Sequence, residues 1–480
     1  MTFQAPRGTH DVLPGEPDSQ QDPDTRLFAS YKWQALEAAF RAVCARFGAE
    51  EIRTPVFEET ALFHRSVGAA TDIVAKETYD FEDRGGEKLT LRPEGTAGVM
   101  RAIVQNGLAG GQSPLLRLYY LNSHFRYERP QRGRYRQHHQ VGVEYVGEAG
   151  AAADVEVIAL GLSYLRQIGL DDVELQINTV GTPACRPAYR EALQAHLRPF
   201  LPQMSEDSQR RFDTNPLRVL DSKDPRDQEA VSGAPAMVDY LDEEAAAHFD
   251  QVQAGLTNLG IDFTLNRRLV RGLDYYQKTA FEVVHQALGS QNVVLGGGRY
   301  DGLLAELGGP AVGGVGFGSG VERALLILEQ LGRPLGRRAG AEVYLVAKTA
   351  AERVQAQKLA MELRAAGLRV DYDLQGRSMK AQMRAANGCG CQWVVFLRED
   401  LVTGDAVLKR MSDGCQADVS ADGIAMEVKR LRRSPATAPS TTDPASSCCT
   451  TSETGRKLVL EMANGDPSLG TPINRPPSPE

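Results

Sequence analysis

Five arginines, Arg126, Arg129, Arg132, Arg134 and Arg136, fall within eleven residues of the segment FRYERPQRGRYRQHHQVGVEY, and Gln140 and Glu144 follow them. The flanks are aromatic and β-branched, while RPQRGR in the middle holds Pro and Gly, so the pattern predicts two antiparallel strands joined by a mobile cationic loop. Side chains alternate along a strand, which puts Gln140, Gly142 and Glu144 on one face. Gly142 predicts room there for a ligand to approach the backbone. Guanidinium groups above a face that accepts hydrogen bonds suit a polyphosphate joined to a group carrying N–H donors. A solvated basic hairpin is the plainer alternative.

The chain that must position this hairpin has 480 residues, 42% of them hydrophobic, enough for two or three cored domains. No apolar run approaches the ~20 residues that span a bilayer. The opening MTFQAPRGTHDVLPGE lacks the basic and apolar regions of a secretory signal. A soluble, cytoplasmic protein with no membrane association is expected. The seven cysteines, Cys448 and Cys449 among them, are odd in number and scattered, which favours reduced thiols over a disulfide framework. No HExxH or paired-cysteine pattern predicts a metal held by protein ligands alone. Net charge is −8, but residues 341–433 carry 15 Lys and Arg against 12 Asp and Glu, a weak pointer to RNA at that end.

Leu36, Phe40, Val43 and Phe47 recur at helical spacing and predict a helix from Asp24 to Phe47, stopped by Gly48. EIRTPVFEET follows as a short strand that Pro55 confines to an edge or bulge. EKLTLRPEGTAGVMRAIVQNG reads as a strand turning into a helix, with Arg92, Glu94 and Thr96 on one face, and a further helix is expected from Ala152 to Ile168. Residues 1–172 make a first core segment. Residues 173–263, helical, charged and broken by prolines, predict an inserted subdomain, after which β patterning resumes over 264–333. A linker, 334–340, leads to a βαβαβ domain with a parallel sheet over 341–432. The Ser-, Thr- and Pro-rich residues 433–480 predict a disordered tail, apart from a possible island at KLVLEMA. The glycine runs GGGRYDG and GGVGFGSG have neither a P-loop ending nor dinucleotide-fold spacing, so a nucleotide site here belongs to neither class.

Several segments together resemble the histidyl-tRNA synthetase family of class II aminoacyl-tRNA synthetases. EIRTPVFEET is similar to class II motif one, FRYERPQRGRYRQHHQVGVEY to motif two, and VGFGSGVERALLILE to motif three with Arg323. LVRGLDYY and LRPEGT resemble segments particular to the histidine enzymes, PRGTHDVLPGE their start and SMKAQMRAANG their anticodon domain. The resemblance spans residues 3–432. It implies an α+β fold: a class II antiparallel-sheet catalytic core with a helical insertion, then a small α/β anticodon-binding domain. The activity implied is ligation of L-histidine to tRNA(His) by way of histidyl-adenylate, with ATP as substrate, Mg2+ accompanying it, and a homodimer as the assembly.

Residue by residue, the resemblance makes Arg126 and Arg271 the catalytic pair, gripping the α-phosphate and the histidine carboxylate from opposite sides. ATP would be held by Arg126, Glu128, Arg134, Arg136, His138 and Arg323. Histidine would be held by Glu94, Gly95, Thr96, Arg126, Gln140, Glu144, Arg271, Tyr275 and Tyr276. In that set Glu144 accepts from the imidazole N–H while a tyrosine meets the other ring edge. His138 departs from the family, which usually has phenylalanine where adenine stacks; imidazole offers less apolar area. Read without the family, Arg126 and Arg271 would be ion-paired to Glu128 and Asp274, and Glu144 would salt-bridge Arg126. Lys380 and Arg384 are candidate RNA contacts. The alternatives are a regulatory paralogue such as the ATP phosphoribosyltransferase regulatory subunit, a class II synthetase for proline or threonine, and an RNA-binding protein with an inactive core. Retention of RGLDYY, the motif-two arginines and a C-terminal domain argues against the first.

Overall fold

The computed structural model describes residues 3–15, 23–68, 71, 73–109, 115–333, 335–338, 340–397, 405–420, 423–424 and 426–428. The expected disordered tail, the KLVLEMA segment and Cys448–Cys449 lie outside the described residues. The chain divides into two compact units, Met1–Arg338 and Ala339–Glu480.

The first unit contributes, in chain order, strands β1 (Glu50–Glu51), β2 (Phe57–Glu59), β3 (Tyr79–Glu82), β4 (Lys88–Leu91), β5 (Leu116–Phe125), β6 (Gln137–Val146), β7 (Glu174–Thr179), β8 (Thr264–Leu265), β9 (Gln277–Val284), β10 (Val293–Arg299) and β11 (Gly314–Gly320). Eight of them form one sheet in the order β1-β5-β6-β11-β10-β9-β7-β8, while β2-β4-β3 form a small separate sheet. From β5 through β7 every neighbour is antiparallel; only the two-residue edge strands β1 and β8 pair in parallel. EIRTPVFEET is therefore not one strand. It breaks around Pro55 and serves both sheets, because proline has no N–H to give to a ladder.

The period of two sorts the large sheet into two faces. Val141, Val143 and Tyr145 of β6, Val315 and Phe317 of β11, Leu295 of β10 and Phe281 of β9 all point into one apolar core. The helices Ser30–Arg46 and Ala151–Gln167 cover that face, contributing Leu36, Phe40, Val157 and Tyr164. Phe317 is 2% exposed, and truncating such a side chain to alanine typically costs about 3–5 kcal/mol. The intervening residues of the same strands, Gln140, Gly142 and Glu144 with Gly296, Gly298, Gly316 and Gly318, face the other way. The helix expected from Asp24 begins later: a 3-10 turn spans Pro23–Phe28 and the α-helix starts at Ser30.

The segment read as a helical insertion is helical from Arg186 to Asn258, but its first strand, β7, pairs with β9 inside the large sheet. That partner lies so far along the chain that nothing local in ELQINT announces it.

In the second unit, β12 (Val343–Val346), β13 (Val370–Tyr372) and β14 (Trp393–Phe396) are parallel, and the helix Ala350–Ala365 starts with a capping box between Thr349 and Glu352. The sheet is not purely parallel. A hairpin of β15 (Asp405–Arg410) and β16 (Gln416–Ser420) adds two antiparallel strands, turning near Asp413-Gly414, where Gly414 has φ +75°.

Candidate active site

The hairpin β5–β6 runs unbroken from Leu116↔Val146 to Phe125↔Gln137. Arg126 follows the last pair, and its N–H donates to the carbonyl of Arg136 (2.9 Å), closing the cationic loop onto the sheet. The Arg126 Nε donates to the carbonyl of Pro93 (2.8 Å), which aims the guanidinium over the site face. Arg126, Arg134, Arg271 and Arg323 all line one cavity of about 280 Å³. Burial holds the guanidinium groups of Arg126, Arg134 and Arg323 below their ordinary range; the nearby Arg271 also lowers Arg126, and Arg126 lowers Arg134 and Arg323. Cations that repel one another in a shared cavity form a site for a polyanion.

Four glycines lie on the sheet face that carries the site, and two of them, Gly296 and Gly318, line the cavity. A Cβ on Gly296 would lie 2.5 Å from the Arg271 guanidinium nitrogens, and one on Gly316 would lie 2.1 Å from Glu144 Oε2. Gly298 lies under Tyr276 and Gly318 under Gln140. These glycines serve close approach of functional side chains to the sheet. The expected space above Gly142 is filled from within: the Tyr120 ring sits there, and a Cβ would meet it at 2.3 Å.

Glu144 is 1% exposed. Its Oε1 accepts from Thr96 Oγ1 (2.7 Å) and Tyr120 Oη (3.3 Å), and its Oε2 accepts from Tyr300 Oη. Burial pushes its carboxyl up to about 8 despite those three donors. The pair with Arg126 weighed from sequence does not form. Glu94 accepts from the backbone N–H groups of Thr96 (2.7 Å) and Ala97 (2.8 Å) at the start of the helix Thr96–Gln105. Tyr275 Oη approaches the same carboxylate at 3.5 Å. Gly95 precedes that helix against the Tyr120 ring. Burial keeps the Tyr275 and Tyr276 hydroxyls above their ordinary range, so both stay protonated donors.

Arg271 pairs with Glu282, not with the Asp274 suggested by sequence proximity, and Asp274 instead accepts from Asn215 Nδ2 (2.8 Å). The Arg271 Nε is buried without a hydrogen-bond partner among the described residues. Arg126 lies 3.9 Å from Glu128, which Arg134 also pairs. His138 lines the cavity, held neutral well below its ordinary range by burial and by Arg126. Arg136 is the expected phosphate contact that does not reach the cavity wall. Its guanidinium lies over the Tyr127 ring at 4.1 Å, and its Nε donates to the Glu128 carbonyl (3.2 Å). Among the described residues no three His, Cys, Asp or Glu side chains are grouped to hold a metal ion.

A family model described as histidyl-tRNA synthetase matches residues 27–324, and a model for an anticodon binding domain matches residues 342–431. A curated histidine–tRNA ligase of Geobacillus thermodenitrificans is 46% identical over 437 residues, which is 90% of this chain and all of that protein. One from Moorella thermoacetica is also 46% identical, across 90% of this chain and all of its own length. The solved apo histidyl-tRNA synthetase of S. aureus superposes with a TM-score of 0.73 at 34% identity, covering 89% of this chain and all of that one. The chain belongs to the histidyl-tRNA synthetase family.

Within that family frame, sequence reasoning missed Tyr120, Tyr300 and Glu282. A signal existed for Tyr120: it stands directly opposite Gly142, and a bulky residue across from a glycine in a hairpin leans over it. Tyr300 follows GGGR, and nothing in that local pattern separates a site tyrosine from a packing one. The Gly296 geometry gives a test, because the nearest atoms to its added Cβ all belong to the Arg271 side chain. Gly296→Ala is expected to fold with little change in thermal midpoint yet lose about 10²-fold in adenylate-forming activity, since a misplacement of about 1 Å costs that much. Normal activity in this variant would show that Arg271 is not needed where it stands.

Proposed function

We propose that this chain is a histidine–tRNA ligase, an aminoacyl-tRNA synthetase that converts ATP to AMP and diphosphate. The observation that carries the reading is the buried carboxylate of Glu144 on the same sheet face as a cavity walled by four arginines. A histidine carboxylate oxygen attacks the α-phosphorus of ATP and pyrophosphate leaves, forming histidyl-adenylate. A ribose hydroxyl at the 3′ end of tRNA(His) then attacks the carbonyl carbon and AMP leaves. Neither step needs a protein nucleophile; alignment and charge neutralisation carry the catalysis.

Arg126 and Arg271 serve the α-phosphate and the substrate carboxylate, and Arg134 and Arg323 serve the outer phosphates. Mg2+ enters with ATP as part of the substrate, and Glu128 and Glu282 are the carboxylates beside those arginines. Glu94, Thr96 and Gln140 receive the ammonium, since each keeps an oxygen able to accept. Glu144 accepts from the imidazole N–H, with Tyr275 and Tyr276 at its other edge. His138 lies under adenine. Because it is already neutral, His138→Phe adds apolar stacking area without removing a charge, and is expected to lower the KM for ATP a few-fold; an unchanged or higher value refutes that seat.

The second unit binds the tRNA anticodon, with Lys380 and Arg384 exposed on the helix Met379–Gly388 as contacts. No described helix is long and apolar enough to cross a membrane, and a cytoplasmic setting fits a tRNA substrate. A homodimer is supported by Val56, Phe57 and Phe81, which stand 42–49% exposed together on or beside the small sheet. A monomer mass in sedimentation equilibrium would remove the dimer from this reading. The decisive assay is ATP–pyrophosphate exchange with each of the twenty amino acids, followed by aminoacylation of tRNA(His). Histidine alone should support both, and no histidine preference would end the proposal.

A further inference from the structure

Arg271 and Tyr276 lie on the short connection between β8 and β9, which has no regular hydrogen-bond ladder of its own. Behind this connection lies a second cavity, about 490 Å³, between it and the helical insertion. On that side packing alone does not fix the loop. Side chains from the insertion do. Arg218 Nη1 donates to the main-chain carbonyl of Arg271 (2.9 Å). Arg186 Nη2 donates to the main-chain carbonyl of Tyr276, and its Nε donates to that of Val180 (3.1 Å). Between the two, Asn215 holds the Asp274 carboxylate.

We propose that Arg186 and Arg218 are positioning residues for the amino-acid pocket, each tethering the backbone of one loop residue whose side chain works inside it. The proposal rests on the assignment of Arg271 and Tyr276 to histidine binding. Arg186 is largely desolvated, which lowers its guanidinium below the ordinary range, and it makes no ion pair with a carboxylate among the described residues. A half-buried guanidinium placed on carbonyls instead of a carboxylate fixes main-chain positions through directional bonds. Arginine also suits the task geometrically, since one rigid fork spans two carbonyls, that of Val180 just after β7 and that of Tyr276 just before β9. The insertion thereby becomes the rear wall of the histidine site. ATP contacts from the β5–β6 loop and from Arg323 stay outside its reach, and only Arg271 connects it to the α-phosphate.

The test compares Arg186→Ala, Arg218→Ala and Arg218→Lys in pyrophosphate exchange, with KM for histidine and for ATP measured separately and thermal midpoints recorded. A loosened loop predicts that kcat/KM for histidine falls about tenfold or more in each alanine variant; KM for ATP stays within about twofold in Arg186→Ala, whose tether holds Tyr276, and rises in Arg218→Ala, because Arg271 also serves the α-phosphate. Arg218→Lys retains one donor and is expected to recover most of the loss. The proposal is overturned if both alanine variants keep wild-type histidine constants. It is equally overturned if Arg186→Ala weakens both substrates together in proportion to the fall in thermal midpoint, which is what a merely structural role gives. If Arg186→Ala does not fold, Arg186→Lys against Arg186→Gln decides by the same split. A wild-type protein without histidine-dependent exchange would sink the functional assignment itself, whereas an active wild type with unaffected variants sinks only this tethering.

Discussion

Replacing Arg126 by alanine is expected to lower kcat/KM for histidine-dependent pyrophosphate exchange on the order of 10³-fold, and Arg271→Ala by a similar factor. Removing one preorganised donor from developing negative charge typically costs about 10²–10³-fold, and here a full charge is lost as well. Lysine at either position keeps the charge without the planar fork, so it should restore only part of the rate. Stability should move little. Burial and the neighbouring Arg271 already disfavour the Arg126 charge, so removing it relieves a cost. A variant that loses activity only as fast as it loses its fold would contradict a catalytic role.

At pH 8 or above, where the Glu144 carboxyl is ionised, Glu144→Gln is expected to raise the KM for histidine by about 10²-fold or more while leaving the KM for ATP nearly unchanged. A site built on buried polar groups penalises any mismatch that leaves one unpaired, and the amide presents N–H groups towards hydroxyls and an imidazole that are themselves donors. The same substitution has a pH signature. The Glu144 carboxyl rises from an ordinary 4.5 to about 8 in the fold, so between those values the folded protein holds a proton that the unfolded chain releases. Its contribution to stability therefore falls as pH rises through that window, and the penalty is fully present above about 8. Glutamine carries no such penalty. The thermal midpoint of the variant minus that of wild type should grow more positive from pH 5 to 8 and then level off. A difference that stays flat across the range would mean that Glu144 is ionised throughout.

The alternation of Gln140, Gly142 and Glu144 was legible because strand periodicity is local, and the sheet face they share is the one the cavity uses. Arg126 and Arg271 were legible only through family motifs; nothing in their own neighbourhoods separates a catalytic arginine from an ion-paired one. The sequence neighbours, Glu128 and Asp274, were reasonable partners for them. Yet Arg271 turned to Glu282, directly across from Gly296 in the sheet, because strand pairing sets that distance and chain order does not. Tyr120, not a ligand, occupies the space above Gly142, since a glycine reports close approach without saying by what. Arg136 looked like its loop neighbours in sequence, and only the turn geometry sends it over Tyr127. The hairpin β15–β16 carried a readable Asp-Gly turn but little apolar alternation, because β16 buries almost nothing.

A crystal structure with a non-hydrolysable histidyl-adenylate analogue bound tests the central claim most directly. Both guanidinium groups should lie within about 3 Å of the analogue's phosphate or carbonyl oxygens, with Glu144 accepting a hydrogen bond from its imidazole. An analogue bound elsewhere, or an Arg271 still committed to Glu282 with Glu144 facing only Thr96, Tyr120 and Tyr300, would contradict it.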